Sequence, residues 1–372
     1  MENFIYETQA ARVIFGTGMV AQVREELFAL GAKKTLVLST PGHEKIANDM
    51  AELIGDICVG IHAKAIQHVP IEVVEEALKV VRERKVDSLV SVGGGSSIGL
   101  AKAIALYTSL PIVAIPTTYA GSEMTPVWGI TENGLKKTGT DLEVKPKTVI
   151  YDPTLTVTLP KSLTVMSAMN SMAHCIEGLY APKVNPIISL FAEEGIKAIS
   201  SSLPDIMKAP SDLNSRSKAL YGCWLSGTVL GSVGMALHHK LCHVLGGSFG
   251  LQHAETHTVI LPYAVWYNAS SIPEAIKIMA RALGTDEKDV AGILFDLSKS
   301  LNAPTSLAEI GMKEQDLDRA AELASKNPYY NPRPITKQSI KQLLESAFKG
   351  ERPPKGMEFQ VGADHWMLDM PF

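Results

Sequence analysis

The strand-like runs of this chain stop at Tyr151, and helical patterns alone follow. That change of texture constrains the fold more than any other feature. Before it, short apolar runs at Thr35–Leu38, 58–61, 88–92, 111–115 and 147–151 read as strands. Amphipathic stretches separate them; in Ile71–Arg84, for instance, Val73, Val74, Ala77, Leu78 and Val81 fall at the i, i+3, i+4 spacing of one helix face. Strands alternating with helices of this length predict βαβ units around a mostly parallel sheet. After Pro160 the apolar-periodic segments run at roughly 163–181, 186–207, 213–230, 233–247, 254–269, 272–283, 287–300 and 336–348. Pro and Gly are expected to punctuate them, with Pro204, Gly231 and Pro262 among the breaks. At 372 residues the chain exceeds what one core usually organises. The expected organisation is an α/β domain over 1–156, an all-α domain over 157–350, and a tail, 351–372, with no assigned role.

Charge and cysteine content narrow the class. The net charge is −4, from 35 basic and 39 acidic residues, with no long block of either sign. Bulk electrostatics therefore speak against a nucleic acid or an anionic membrane as partner. The four cysteines lie far apart with no CxxC, so neither a disulfide framework nor a cysteine-based zinc site is expected. The start lacks a basic segment followed by an apolar one, and no run of about 18 uncharged apolar residues occurs. A cytoplasmic protein without a membrane span is the expectation.

Gly93-Gly94-Gly95-Ser96-Ser97 sits between a predicted strand and a predicted helix. Without Cβ atoms such a turn brings amides close to a ligand, and the first N–H groups of the helix face a diphosphate. The bland alternative is a tight turn with capping serines; the segment is not GxGxxG. A second loop, 116–123 (PTTYAGSE), follows the next strand and offers Thr117, Thr118 and Ser122. Two small hydroxyl-rich loops at adjacent strand ends converge on one crevice, where open α/β sheets bind nucleotides.

The helical half concentrates imidazoles. Of 10 histidines, six lie between His174 and His257. Asn170 and His174 are four apart, as are His239 and His243, and again His253 and His257. That spacing puts each pair on one helix face. His174, His239, His243 and His253 are expected to share a site. His238 and His257 read more simply as core histidines, and His62, His68 and His365 as structural.

These segments together resemble the group III iron-containing alcohol dehydrogenase superfamily over almost the whole chain to about residue 350. The resemblance rests on 93–97 and 116–123, on YDPTL at 151–155, NSMAHCIEGLYA at 170–181, HHKLCHVLGGSFGLQHAE at 238–255 and NPRPIT at 331–336. It implies a Rossmann-like N-terminal domain, an all-helical C-terminal domain and NAD(P) as coenzyme, an architecture shared with dehydroquinate synthase. Metal-dependent members carry an Asp where this chain has Asn170, with further ligands at positions matching His174, His239 and His253.

Asn170 is thus a departure, since its neutral carbonyl is a much weaker ligand than a carboxylate for Zn²⁺ or Fe²⁺. Gly99 is a second departure, standing where those enzymes usually have Asp. The PTT loop is also one residue short. GGGSSIGLAKA, PTTYAGSEMTP and AMNSMAH together resemble the maleylacetate reductase branch. That resemblance implies reduction of the carbon–carbon double bond of maleylacetate to 3-oxoadipate in aromatic-compound degradation, with NADH or NADPH and no required metal. The expected substrate is a small dicarboxylate and the expected assembly a homodimer. The alternative is a metal-dependent alcohol or glycerol dehydrogenase that tolerates Asn170. His243 and His253 are the candidate proton donors, with His174, His239 and Asn170 beside them and Lys240 for a substrate carboxylate. Ser39, Thr40 and Lys137 complete the expected coenzyme contacts; no acidic residue follows the strand Thr35–Leu38 to repel a 2′-phosphate, so both coenzymes are expected to serve.

Overall fold

The structure is a computed structural model that describes residues 4, 11–356, 358 and 359. It divides into two compact units, 1–235 and 236–372. In the first, β1 (Arg12–Phe15), β2 (Thr35–Leu38), β3 (Cys58–His62), β4 (Ser88–Gly93), β5 (Ile112–Pro116) and β8 (Thr148–Tyr151) form one sheet. Its order is β1-β8-β5-β4-β2-β3 with every neighbouring pair parallel. Helices connect these strands: α1 (Val23–Ala29), α2 (Glu44–Ile54), α3 (Ile71–Arg84) and α4 (Gly95–Thr108). Crossovers demand them, because parallel strands cannot be joined by a tight turn. Val37, Val90, Val113 and Ile150 pack with Leu27, Met50 and Ile54 in one buried cluster, so β2, β4, β5 and β8 read as near-continuous apolar runs.

An antiparallel hairpin, β6 (Val127–Glu132) and β7 (Leu135–Thr140), interrupts the crossovers between β5 and β8. Sequence reading passes over it. Its second strand, LKKTGT, is almost wholly exposed and offers no apolar alternation to read.

The helices α5 (Lys161–Gly178), α6 (Pro186–Lys208) and α7 (Leu213–Val233) belong to the first compact unit. The second unit is built from α8 (Leu237–Phe249), α9 (His253–Asn268), α10 (Pro273–Leu283), α11 (Val290–Ser300), α12 (Leu317–Ser325) and α13 (Lys337–Lys349). The change from α/β to all-α therefore falls near residue 152, whereas the compact units divide at 235. Three expected breaks are not breaks. Pro204 lies inside α6, Gly231 inside α7 and Pro262 inside α9. Pro204 removes one hydrogen bond to the carbonyl of Ser200, a half-buried residue within reach of water. Around Pro262 the buried neighbours Ile260, Tyr263 and Tyr267 hold the helix in its core. A helical Gly costs only about 1 kcal/mol. Among the described residues no single helix is long and apolar enough to cross a membrane. Of the tail, 357 and 360–372, and with them His365, lie outside the described residues.

Candidate active site

In the first unit the strand order reverses between β2 and β4: β2 leads outward to β3, and β4 leads the other way to β5. Ligands of open α/β sheets bind at the carboxyl ends of strands flanking such a switch point. Here those ends carry Ser39-Thr40 and Gly93-Gly94. Gly93 has φ +140°, and a Cβ there would come 2.6 Å from Ser97 Oγ. A Cβ on Gly94 would stand 3.0 Å from Thr118 Cγ2, and one on Gly95 would meet open space. No side chain caps α4, so its first N–H groups are left for a ligand. The sequence-predicted loops do come together: Thr117 N–H donates to the Gly93 carbonyl at 2.9 Å. Glycine without a clash-free Cβ position, uncapped amides and adjacent threonines fit a dinucleotide's diphosphate.

Several buried contacts hold the second loop. The ammonium of Lys102, on α4, donates to Ser122 O (2.6 Å), Thr125 Oγ1 (2.9 Å) and Val127 O (2.9 Å). Burial lowers its pKa to about 7, against the opposing pull of nearby Glu123. The Ser171 hydroxyl donates to the Tyr119 carbonyl, and Arg216 donates to the Tyr119 hydroxyl at 3.1 Å. Gly121, at φ +82°, rests on α7 so closely that a Cβ on Gly227 would come 2.3 Å from its carbonyl oxygen. Glu123, wholly buried with its pKa lifted by burial, accepts from the Tyr151 hydroxyl at 2.7 Å. None of Lys102, Glu123, Arg216 or Gly227 was singled out from the sequence; a buried charge inside an apolar helix is visible only once the packing is known.

Other expected coenzyme contacts are less central. Ser39 is buried, and Thr40 Oγ1 lies 2.8 Å from His43 Nδ1. Lys137 is exposed on β7 and paired with Glu132 across the hairpin.

Asn170 and His174 lie one turn apart on the buried face of α5. His174 Nδ1 sits 3.2 Å from Ser226 Oγ on α7. The Asn170 carbonyl oxygen is buried and accepts no hydrogen bond among the described residues.

The second unit gathers the remaining imidazoles. His239 and His243 on α8 stand 6.2 Å apart between ring centroids, and His243 stacks at 6.4 Å on His253, the first residue of α9. His238 and His257, set aside on sequence grounds, belong to the same cluster: His257 lies 4.8 Å from His239, 4.7 Å from His238 and 4.2 Å from His253. Burial first, then the charges of His243 and His253, hold His239 well below the usual histidine pKa. His239 is therefore neutral at pH 7. Tyr329, not anticipated, bonds His243 Nδ1 through its hydroxyl at 3.0 Å, and Lys240 Nζ stands 5.4 Å above its ring. Its only sequence signal is proximity to the NPRPIT segment. Lys240 is thus held beside His243 by a shared tyrosine.

Comparison with known proteins now decides the lineage. Residues 10–153 match the iron-containing alcohol dehydrogenase model, and residues 164–348 match the model of the Fe-containing alcohol dehydrogenase family, C-terminal. The chain belongs to the iron-containing alcohol dehydrogenase family. A maleylacetate reductase of Pseudomonas sp. (strain P51) is 55% identical over 94% of this chain and 99% of its own. The crystal structure of maleylacetate reductase from Agrobacterium tumefaciens is 47% identical, with a TM-score of 0.92 over 95% of this chain and 100% of that one. That from Rhizobium sp. strain MTP-10005 is 48% identical, with a TM-score of 0.91 over 95% of this chain and 100% of that one.

At two positions the chain departs from the pattern expected of the family's metal-dependent members. At Gly99 a Cβ would stand 2.8 Å from Val69 Cγ2, so the space a longer residue would need is filled by a β-branched side chain. At Asn170 a buried neutral amide offers no charge to balance a divalent cation. On α5 the donor pair Asn170 and His174 offers an amide oxygen and an imidazole, a weaker pair for a divalent cation than a carboxylate and an imidazole, while in the second unit His238, His239 and His257 bring ligand atoms within 4.8 Å of one another.

Proposed function

We propose that the chain is a maleylacetate reductase, an NAD(P)H-dependent oxidoreductase that reduces the carbon–carbon double bond of maleylacetate to 3-oxoadipate without a required metal. The observation that carries the reading is Asn170: one helical turn before His174, where the metal-dependent members carry a carboxylate, this chain has a buried amide. Reducing a ketone leaves an alkoxide, which calls for a Lewis acid or a strong proton donor. Conjugate addition to an enone leaves a delocalised enolate, which an imidazolium can neutralise.

Gly93, Gly94, Gly95, Ser96, Ser97, Thr117, Thr118 and Ser122 hold the coenzyme, with Ser39, Thr40 and Lys137 at its edges. The reduced nicotinamide, when bound, supplies a hydride to the alkene carbon β to the ketone. His243 or His253 then gives a proton to the carbon next to the ketone, and the ketone reforms. The pKa depression of His239 leaves it neutral and unsuited to that donation. Lys240, oriented by Tyr329, receives a substrate carboxylate. Residues 1–156 serve the coenzyme and 157–350 the catalysis, in a homodimer in the cytoplasm with no nucleic-acid or membrane partner. NADH oxidation tests the reading directly. It should be fast with maleylacetate and unaffected by EDTA, while glycerol or propanol with NAD should give negligible reduction. Rapid alcohol oxidation abolished by EDTA would establish the metal-dependent dehydrogenase instead.

A further inference from the structure

We propose that Ser226 is a positioning residue that decides which ring nitrogen of His174 carries a proton, a proposal that rests on reading His174 as part of the catalytic machinery. Ser226 lies on α7, fully buried against α5. A serine hydroxyl has one hydrogen and two lone pairs. The Ser226 hydrogen goes to the carbonyl oxygen of Ser171 at 2.7 Å, a partner that can only accept. What Ser226 Oγ turns toward His174 Nδ1, 3.2 Å away, is therefore a lone pair, and Nδ1 must be the donor. Neutral His174 thus carries its hydrogen on Nδ1 and presents Nε2 as an electron pair. The device is short and closed, since Ser171 sits on α5 three residues before His174. Ser171 is itself pinned through its hydroxyl to Tyr119, in the loop that follows β5. The same helix therefore carries the imidazole and the carbonyl that orients the serine behind it.

Ring nitrogens report the assignment without any substrate. The experiment uses the full chain labelled with ring-¹⁵N histidine, the His174 signals being identified by their loss in His174→Gln. The expected spectrum of the neutral form has Nδ1 of the protonated, pyrrole type and Nε2 of the bare, pyridine type. Ser226→Ala should let the Nε2–H tautomer appear, and Ser226→Thr should restore the original pattern. In turnover, Ser226→Ala should lower kcat by about 10–100-fold, the usual worth of a group that orients a functional histidine. The KM for NADH should stay unchanged and Ser226→Thr should recover kcat. A serine that merely packs two helices would change stability but not the tautomer. Wild-type His174 with its hydrogen on Nε2 would overturn the proposal, and so would a ring pattern unmoved in Ser226→Ala. Should Ser226→Ala fail to fold, the wild-type spectrum decides alone. Inactivity toward maleylacetate with the Nδ1–H pattern present would remove the proposed reaction and leave this assignment standing.

Discussion

Gly94 lies at the turn between β4 and α4. Its missing side chain leaves Thr118 at what would be 3.0 Å from a Cβ, and the uncapped amides of α4 follow immediately. Gly94→Val should raise the KM for NADH about tenfold, the effect of roughly 1.4 kcal/mol, while the KM for the organic substrate changes little. Equal changes in both constants, read from initial rates, would make the loop structural. His243 and His253 face a different test. Replacing either by Ala should lower kcat by about 10²–10⁴, the ordinary range for a general acid, with NADH affinity retained. Near-normal kcat in both variants, with an intact fold by circular dichroism, would remove the assignment. As candidates these residues were legible because glycine runs and i, i+4 histidines have few cheap explanations. His238, His257 and Tyr329 were not, since a single imidazole or phenol in an apolar stretch looks like core until its neighbours are known.

Helix α4 carries both the uncapped N-terminal amides and Lys102, so it couples one loop to the next. Its apolar residues point in every direction, and nearly all of them are buried. Such a helix shows no stripe to read, and only its length and flanking strands betray it. By contrast α10 and α13 are amphipathic, and both were legible from their spacing to within a residue or two. The hairpin β6–β7 was not, because its exposed lysines and threonines encode pairing through backbone alone. Lys102 makes the coupling measurable. Its folded pKa of about 7 lies below the unfolded lysine value of about 10.4. Between those values the unfolded chain binds the extra proton, so this group makes stability rise with pH across that window. Its penalty is complete below about pH 7 and relieved near pH 10. In Lys102→Met the penalty is absent at every pH. The urea midpoint of the native protein, minus that of the variant, should therefore increase steadily from pH 7 to pH 10. A difference independent of pH would show that Lys102 titrates normally. The variant should also raise the KM for NADH, since Ser122, Thr125 and Val127 lose their common donor.

For the molecule as a whole, the open contrast is between membership of the iron-containing alcohol dehydrogenase family and a buried amide, Asn170, where the resemblance expects a carboxylate ligand. Sequence alone exposed this contrast, because Asn170 stands in an otherwise ordered set of family segments. What the structure adds is that the amide oxygen is buried and accepts no hydrogen bond among the described residues, so no competing role explains its presence. A neutral oxygen cannot offset a divalent charge, and burial makes that deficit larger, since a cation leaving water must be compensated by its ligands. Protein purified without added metal and dialysed against a chelator should therefore retain most of its maleylacetate reduction. Asn170→Asp is the converse experiment. It puts a carboxylate one helical turn from His174, and zinc or iron measured by calorimetry should bind at least tenfold more tightly than to the native chain. Activity is expected to fall on loading and to return on chelation. Native protein that instead holds one equivalent of iron or zinc, loses activity with a chelator and regains it with that ion would overturn the metal-free reading while leaving the family assignment intact.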